Sequence, residues 1–232
     1  MSSAVQTPPR LAIIVPVLNE AATLPALLEH LRHWQQRGAE VLLVDGGSND
    51  QSAPLAREQG FRVLPAPRGR ARQMNAGARV SRAANLLFLH ADTRLPADAD
   101  QRVLAALSGS ELAWGRFDVQ IEGRSRLLPL VAWLMNRRSR LTGIATGDQA
   151  LFMTRQLFEQ VGGFPEQPLM EDIEISKRLK GISAPFCLRQ RVTTSGRRWD
   201  QYGSWRTIML MWQLRWAYWR GTPAGQLAER YR

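Results

Sequence analysis

Cysteine is almost missing from this chain of 232 residues, where Cys187 stands alone. That excludes an intramolecular disulfide framework and any metal cluster of the cysteine type. Lysine is nearly as scarce: Lys177 and Lys180 are the lysines among 31 basic residues, so the positive charge is almost all arginine. No apolar run approaches the roughly 20 residues needed to cross a bilayer. Met1 to Arg10 is short and polar, without the apolar stretch of a secretory leader. The chain is therefore expected to stay where it is made, in a reducing cytoplasm.

What is present suits one globular domain with a modest appendage. The net charge of +11 asks for a partner class. Arginine offers a planar fork that matches phosphate oxygens bidentately. Nucleic acid, a phospholipid surface and the diphosphate of a small substrate all fit; a solvated basic surface is the plain alternative.

The first half alternates apolar runs with helical periodicity. Leu11 to Val15 reads as a buried strand, and Leu24, Leu27, Leu28, Leu31 and Trp34 recur at helical spacing. Val41 to Val44 reads as a second strand, Ser52 to Gln59 as a helix, and Phe61 to Leu64 as a third strand. Ala71 to Ala83 predicts a helix, and Leu86 to Leu89 a strand running into His90-Ala91-Asp92. Such repeats imply a mainly parallel α/β sheet with helices on both faces. Ligands bind such sheets beyond the carboxyl ends of the strands, so Asp45 and Asp92 should line one crevice. Further on, Trp114 to Ile121 reads as a strand, Leu127 to Met135 is apolar, and Glu171 to Leu179 reads as a helix.

Six clusters carry candidate chemistry. A carboxylate such as Asp45, at a strand end, can accept from the imide N–H of a uracil ring; a simple turn-former is the alternative. Gly69-Arg70-Ala71-Arg72-Gln73-Met74-Asn75 places a glycine and two arginines at a helix mouth, where cations are unfavourable unless an anion sits there. His90 and Asp92 offer few ligands, which suffices for a divalent ion already bridging two phosphates, Mn²⁺ or Mg²⁺. Glu171 and Asp172 open a helix, which is ordinary helix electrostatics or a general base. Gly147, Asp148 and Gln149 could border the same site. Arg197, Arg198 and Trp199 suit a leaving diphosphate or an acceptor phosphate, with the ring as a stacking platform.

In series, these residues resemble the family 2 glycosyltransferases of the GT-A nucleotide-sugar fold. The resemblance rests on Val15-Pro16-Val17-Leu18-Asn19-Glu20, the loop from Val44-Asp45 to Asp50, Asp92, and Gly162-Gly163-Phe164 leading into Glu171-Asp172. Within that family the chain is similar to a compact bacterial branch described as radical-SAM and selenodomain associated. The resemblance implies an inverting transfer of a sugar from a nucleotide diphosphate donor, UDP favoured, to a hydroxyl acceptor. It implies nucleotide-sugar contacts at Pro16, Asn19, Glu20, Asp45, Arg70, Arg72, Asn75 and Asp92. Asp92, with His90, would hold the metal, and Asp172, with Glu171 beside it, would be the catalytic base. Two positions depart from the family pattern: Gly46 follows Asp45 where an aspartate is usual, and His90-x-Asp92 replaces D-x-D.

Residues 1–10 are expected to form a flexible N-terminus, 11–200 the GT-A domain, and 201–232 a helical appendage. Trp205, Ile208, Met209, Trp212, Trp216 and Trp219 fall on one stripe with arginines interspersed. That suits a helix lying on an anionic membrane surface, making the protein peripheral on the inner face. Packing on the main domain or on a second subunit, as a homodimer, competes. Other functions fit less well. A nucleotidyltransferase would place a Gly-rich loop where Pro16 to Glu20 stands. A basic nucleic-acid- or membrane-binding protein without transferase activity is the alternative from another class, yet no RNA-binding module signature appears and no nucleic-acid partner is expected.

Overall fold

The computed structural model describes residues 8–231; most of the N-terminal segment expected to be flexible lies outside them. Strand β1 (Leu11–Val17) leads to helix α1 (Leu24–Gln36), β2 (Glu40–Asp45), α2 (Ser52–Glu58), β3 (Arg62–Pro65), α3 (Arg70–Val80) and β4 (Asn85–Phe88). Then come β5 (Thr93–Arg94), α4 (Ala99–Leu107), β6 (Trp114–Glu122) and α5 (Leu128–Thr142). A 3₁₀ turn (Gly147–Gln149) precedes β7 (Phe152–Thr154), α6 (Arg155–Gln160), α7 (Glu171–Lys180) and β8 (Phe186–Ser195). The chain closes with α8 (Arg197–Tyr202), α9 (Ser204–Trp219) and α10 (Ala224–Tyr231).

The strands form one sheet in the order β3-β2-β1-β4-β7-β6-β8-β5. Its first four strands are parallel. Beyond β4 the pairing is mixed: β7 runs antiparallel to both β4 and β6, β8 is parallel to β6, and β5 is antiparallel to β8. The sheet is thus parallel where the sequence repeats strand and helix, and mixed where that repeat loosens.

Alternation along β1 divides the core. Ile13 and Val15 face α1 and α4 with Leu28, Leu31, Trp34 and Val103, while Ala12 and Ile14 face α3 with Met74 and Ala78. Burying each large apolar side chain contributes about 1.5–3 kcal/mol. A third, small cluster joins Met170 and Ile173 of the α7 region to Leu214 and Leu227, and so docks α9 and α10. Helices α9 and α10 are therefore packed against the domain. On α9 the tryptophan stripe stays outside, with Trp205 and Trp212 each 71% exposed, while Thr207 and Leu214 on the other face are buried.

One core group titrates in an unusual range. His30 Nε2 accepts from the Leu95 amide at 3.0 Å and from Trp34 Nε1 at 3.3 Å, an arrangement only the neutral ring allows. Burial, then the charges of Arg94 and His33, lower its pKa from 6.5 to about 4. The unfolded chain binds the extra proton first, so this stabilisation is complete above about pH 6.5 and is lost as pH falls toward 4. The loss amounts to about 2–3 kcal/mol. Unfolding midpoints between pH 7 and 4 should drop more steeply for wild type than for His30→Gln. Equal slopes would contradict this account of His30.

Candidate functional site

The topology places three loops at the carboxyl ends of β1, β2 and β4, beside the point where the strand order reverses. The first two are stapled together. Asn19, at a positive φ of 55°, donates its amide to Ser48 Oγ at 2.9 Å and accepts from the Asn49 amide at 2.8 Å. Glu20 donates its amide to Ser52 Oγ, and Ala21 to Asp50. The hydroxyl of Ser52, then burial opposed by the Ala21 and Ser52 amides, leave Asp50 below the usual carboxylate range.

Beyond these loops lies a cleft of about 530 Å³. Pro16, Glu20, Arg70, His90 and Asp92 line it from the strand ends and the mouth of α3. Gly147, Asp148, Glu171 and Asp172 line it from the 3₁₀ turn and the start of α7, and Arg198 and Trp199 from α8. A wider depression of about 800 Å³, bordered by Asn85, Ser108, Arg155 and Glu159, sits at the opposite ends of β4 and β7. Sheet ligands bind at carboxyl ends, so the smaller cleft is the candidate.

Other expected residues are engaged elsewhere. Asp45 does not line the cleft: its carboxylate turns back onto its own loop, accepting from the Gly47 and Ser48 amides and from Ser48 Oγ at 2.5 Å. Asn75 clamps the backbone of Phe164 with both ends of its amide, at 2.8 and 2.9 Å. Gln149 is fully buried and forms a capping box with Thr146. Arg72 pairs with Glu166 at 3.1 Å and Arg197 with Glu20 at 3.6 Å. Gln73, given no role from sequence, donates to the carbonyls of Val17 and Val44 at 2.9 and 2.7 Å. A Cβ on Gly46 would stand 2.9 Å from the Gln73 amide carbon, which explains glycine where the family pattern has an aspartate.

The acids of the cleft are held in distinct ways. Asp172 Oδ2 accepts from the Gly147 amide at 2.9 Å, and Oδ1 from the Ile173 amide at 2.8 Å. Glu171 is buried against Arg70, 3.4 Å away. Its pKa is raised by burial and by its neighbour Asp172, with Arg70 opposing. Asp148 meets His90 Nδ1 at 3.3 Å. Burial would raise Asp148, but the His90 contact and the charges of His90, Arg70 and Arg215 outweigh it and lower the pKa. The other side of the His90 ring lies against Gly147, where a Cβ would stand 2.2 Å from Nε2. His90 thus orients the 147–148 turn that in turn holds Asp172.

Asp92 is the carboxylate left open: among the described residues, the Thr93 hydroxyl at 3.4 Å is the one group that hydrogen-bonds to it. Among the described residues, no group of three or more His, Cys, Asp or Glu side chains converges as a metal cage. A divalent ion fits here if a diphosphate and water supply most of its oxygens.

The C-terminal helices supply what the sequence reading missed. Thr207, Met211, Leu214, Arg215 and Tyr231 all line the cleft. Arg198 ties them in by donating to the Tyr231 carbonyl at 2.6 Å, its guanidinium 3.8 Å from the centre of the Tyr231 ring. The available signal was the second helical face of α9, where Thr207, Leu210, Met211, Leu214 and Tyr218 recur at spacings that pack inward.

The family model for glycosyl transferase family 2 matches residues 12–158. A PGL/p-HBAD biosynthesis glycosyltransferase of Mycobacterium tuberculosis is 36% identical over 111 residues, 44% of this chain and 43% of that one. A beta-monoglucosyldiacylglycerol synthase of Trichormus variabilis is 23% identical over 225 residues, 85% of this chain and 48% of that one. The chain thus spans less than half the length of these curated relatives. Among solved structures, the mannosyltransferase PcManGT from Pyrobaculum calidifontis in complex with GDP-Man and Mn²⁺ superimposes with a TM-score of 0.68 at 19% identity, covering 94% of this chain and 66% of that one. S. aureus TarS 1-349 in complex with UDP gives a TM-score of 0.63 at 16% identity, covering 80% and 60%. At these identities the structural likeness concerns the fold.

Proposed function

Because the chain belongs to glycosyl transferase family 2, we propose that it moves a sugar from a nucleoside diphosphate donor to a hydroxyl acceptor by a single, inverting displacement. The observation that carries this reading is the meeting of Asp92, Asp148 and Asp172 in one cleft at the carboxyl ends of the sheet. Asp172 is the general base. Two backbone amides fix its carboxylate, leaving lone pairs to take the acceptor proton as the hydroxyl attacks the anomeric carbon. Glu171 beside it is a supporting group, oriented by Arg70.

Arg70 and the open amides at the mouth of α3, where no side chain caps the helix, receive the diphosphate. Arg198 and Trp199 border the same space. Asp92 would hold a divalent ion, Mn²⁺ or Mg²⁺, which when bound neutralises charge developing on the leaving diphosphate. His90 positions the 147–148 turn. UDP is the donor we favour; a fold neighbour in complex with UDP supports it, while another with GDP-Man and Mn²⁺ supports nucleotide-sugar and metal use more broadly. Asp45, at the rim, would reach a base only through the lone pairs its own loop leaves free. Calorimetric titration with a panel of nucleotide sugars and Mn²⁺ tests the reading. Binding confined to donors of one base is expected, and no binding of any donor would overturn it.

Residues 11–200 are the transferase unit in this reading, with 201–232 an appendage that completes the cleft. We propose a cytoplasmic, membrane-peripheral placement, a reading that α9 and α5 support. No helix among the described residues is long and apolar enough to cross a membrane. Instead, Trp205, Met209, Trp212, Trp216 and Trp219 on α9 and Leu130, Trp133 and Leu134 on α5 stand exposed. Arginines stack on two of these rings, Arg220 at 4.8 Å from Trp216 and Arg137 at 5.3 Å from Trp133. Aromatic and cationic side chains together suit the interface of an anionic bilayer. The chain should float with vesicles containing phosphatidylglycerol; protein left entirely in the dense fraction would refute the docking.

A further inference from the structure

Among the described residues, two arginines close enough to feel the charge of Asp172 have no side-chain partner. Arg138 lies in the second half of α5, and its Nε and Nη2 are buried without a hydrogen-bond acceptor. Arg215 lies on α9 and lines the cleft together with Asp172. Among the described residues its side chain forms no hydrogen bond or ion pair. Arg116, buried nearby, shows the contrast: Asp118, Ser139 and the Asn136 carbonyl satisfy its guanidinium.

The two free cations sense each other. Burial, then the charge of Arg215, lowers the Arg138 pKa to about 10, with Asp172 opposing. Arg215 is lowered too, by burial, against the pull of Asp172 and Asp148. Neither aspartate comes within ion-pair distance of these groups: Asp148 is engaged by His90 and Asp172 by backbone amides. Buried donors without acceptors, such as those of Arg138, are costly and rare in folded proteins, and Arg215 is a partly buried cation open to the cleft. Paired guanidinium forks match the oxygens and charge of a phosphate group. They come from α5 and α9, elements separate from the mouth of α3 assigned to the donor.

We infer that Arg138 and Arg215 form an anion subsite next to Asp172 that holds a phosphate group of the acceptor, so that the acceptor is a phosphate-bearing hydroxyl compound. The inference rests on the proposed role of Asp172 and adds the chemical class of the molecule it deprotonates.

The test is calorimetric titration of inorganic phosphate into the chain, first alone and then with Mn²⁺ and a nucleoside diphosphate filling the donor position. Wild type should bind phosphate in both conditions. Arg215→Gln and Arg138→Gln should each weaken phosphate binding about tenfold, the loss of a charge-assisted contact, while nucleoside diphosphate affinity holds. Where Arg138→Gln does not fold, Arg215→Gln decides alone. Wild type without phosphate binding, folded variants that bind phosphate as wild type does, or a loss confined to the nucleoside diphosphate would each overturn the inference. If no nucleoside diphosphate binds, the transferase reading fails, and the titration on the chain alone still reports on the subsite. Glycerol phosphate and monomeric short-chain phosphatidic acid then compete with phosphate. Equal competition points to a soluble phosphate ester, and tighter competition by the lipid to a membrane acceptor.

Discussion

Replacing Asp172 with asparagine should lower turnover by about 10²–10⁴-fold, the contribution of a positioned general base, while donor binding stays as in wild type. Asparagine keeps the size of the side chain and a carbonyl oxygen that can accept from the Gly147 amide, 2.9 Å away in the native chain. The turn at 147–149 and the start of α7 should therefore hold, and a thermal melt would verify it. What the variant loses is a basic oxygen to take the acceptor proton. The deficit should appear in kcat with the donor KM little changed, since Asp172 is assigned to the acceptor. Turnover near the wild-type rate would remove Asp172 from the mechanism.

The parallel half of the fold was legible because both faces of those strands are buried. Leu11 to Val15, Val41 to Val44 and Leu86 to Leu89 read as short unbroken apolar runs, and β1, β2 and β4 contain most of those residues. The helices between them show their inward faces directly, as Leu24, Leu27, Leu28, Leu31 and Trp34 do on α1. The mixed half was not legible in this way. Strand β8 carries Arg189 and Arg191 and buries only Val192 and Thr194, so it shows no continuous apolar run. Helix α5 hid inside the apolar segment from Leu127, half buried and half exposed.

The candidate site divides along similar lines. Asp92, Asp148 and Asp172 follow strands or open helices, and topology alone brings such positions to one end of a sheet. Whether a polar side chain faces a ligand or the backbone depends on contacts that sequence does not display. Asn75 and Gln149 look like binding residues in the sequence, yet both are buried and bonded to scaffold. Asp45 satisfies itself within its own turn, the alternative that aspartates after strands always carry. Arg215 and Tyr231 reach the cleft only because α9 and α10 fold back onto Met170 and Ile173, a long-range contact with no local signature.

Asp92 bears the central claim, that this cleft joins a diphosphate-activated sugar to a divalent ion. It is the open carboxylate at the strand ends, and among the described residues no cage of three acids or histidines is present, so in the proposed reading the hold on the ion would rest largely on this one side chain. Asp92→Asn keeps the shape and removes the charge. Loss of even an outer partner of a metal site costs about 10–100-fold in metal affinity, and loss of the ligand itself should cost at least as much. The decisive measurement is calorimetric titration of a nucleotide sugar into wild type and Asp92→Asn, each with Mn²⁺ and with chelator. Wild type should bind the donor tightly only with Mn²⁺, and the variant weakly in both conditions. Equal donor affinity in all four titrations, or none in any, would contradict the account.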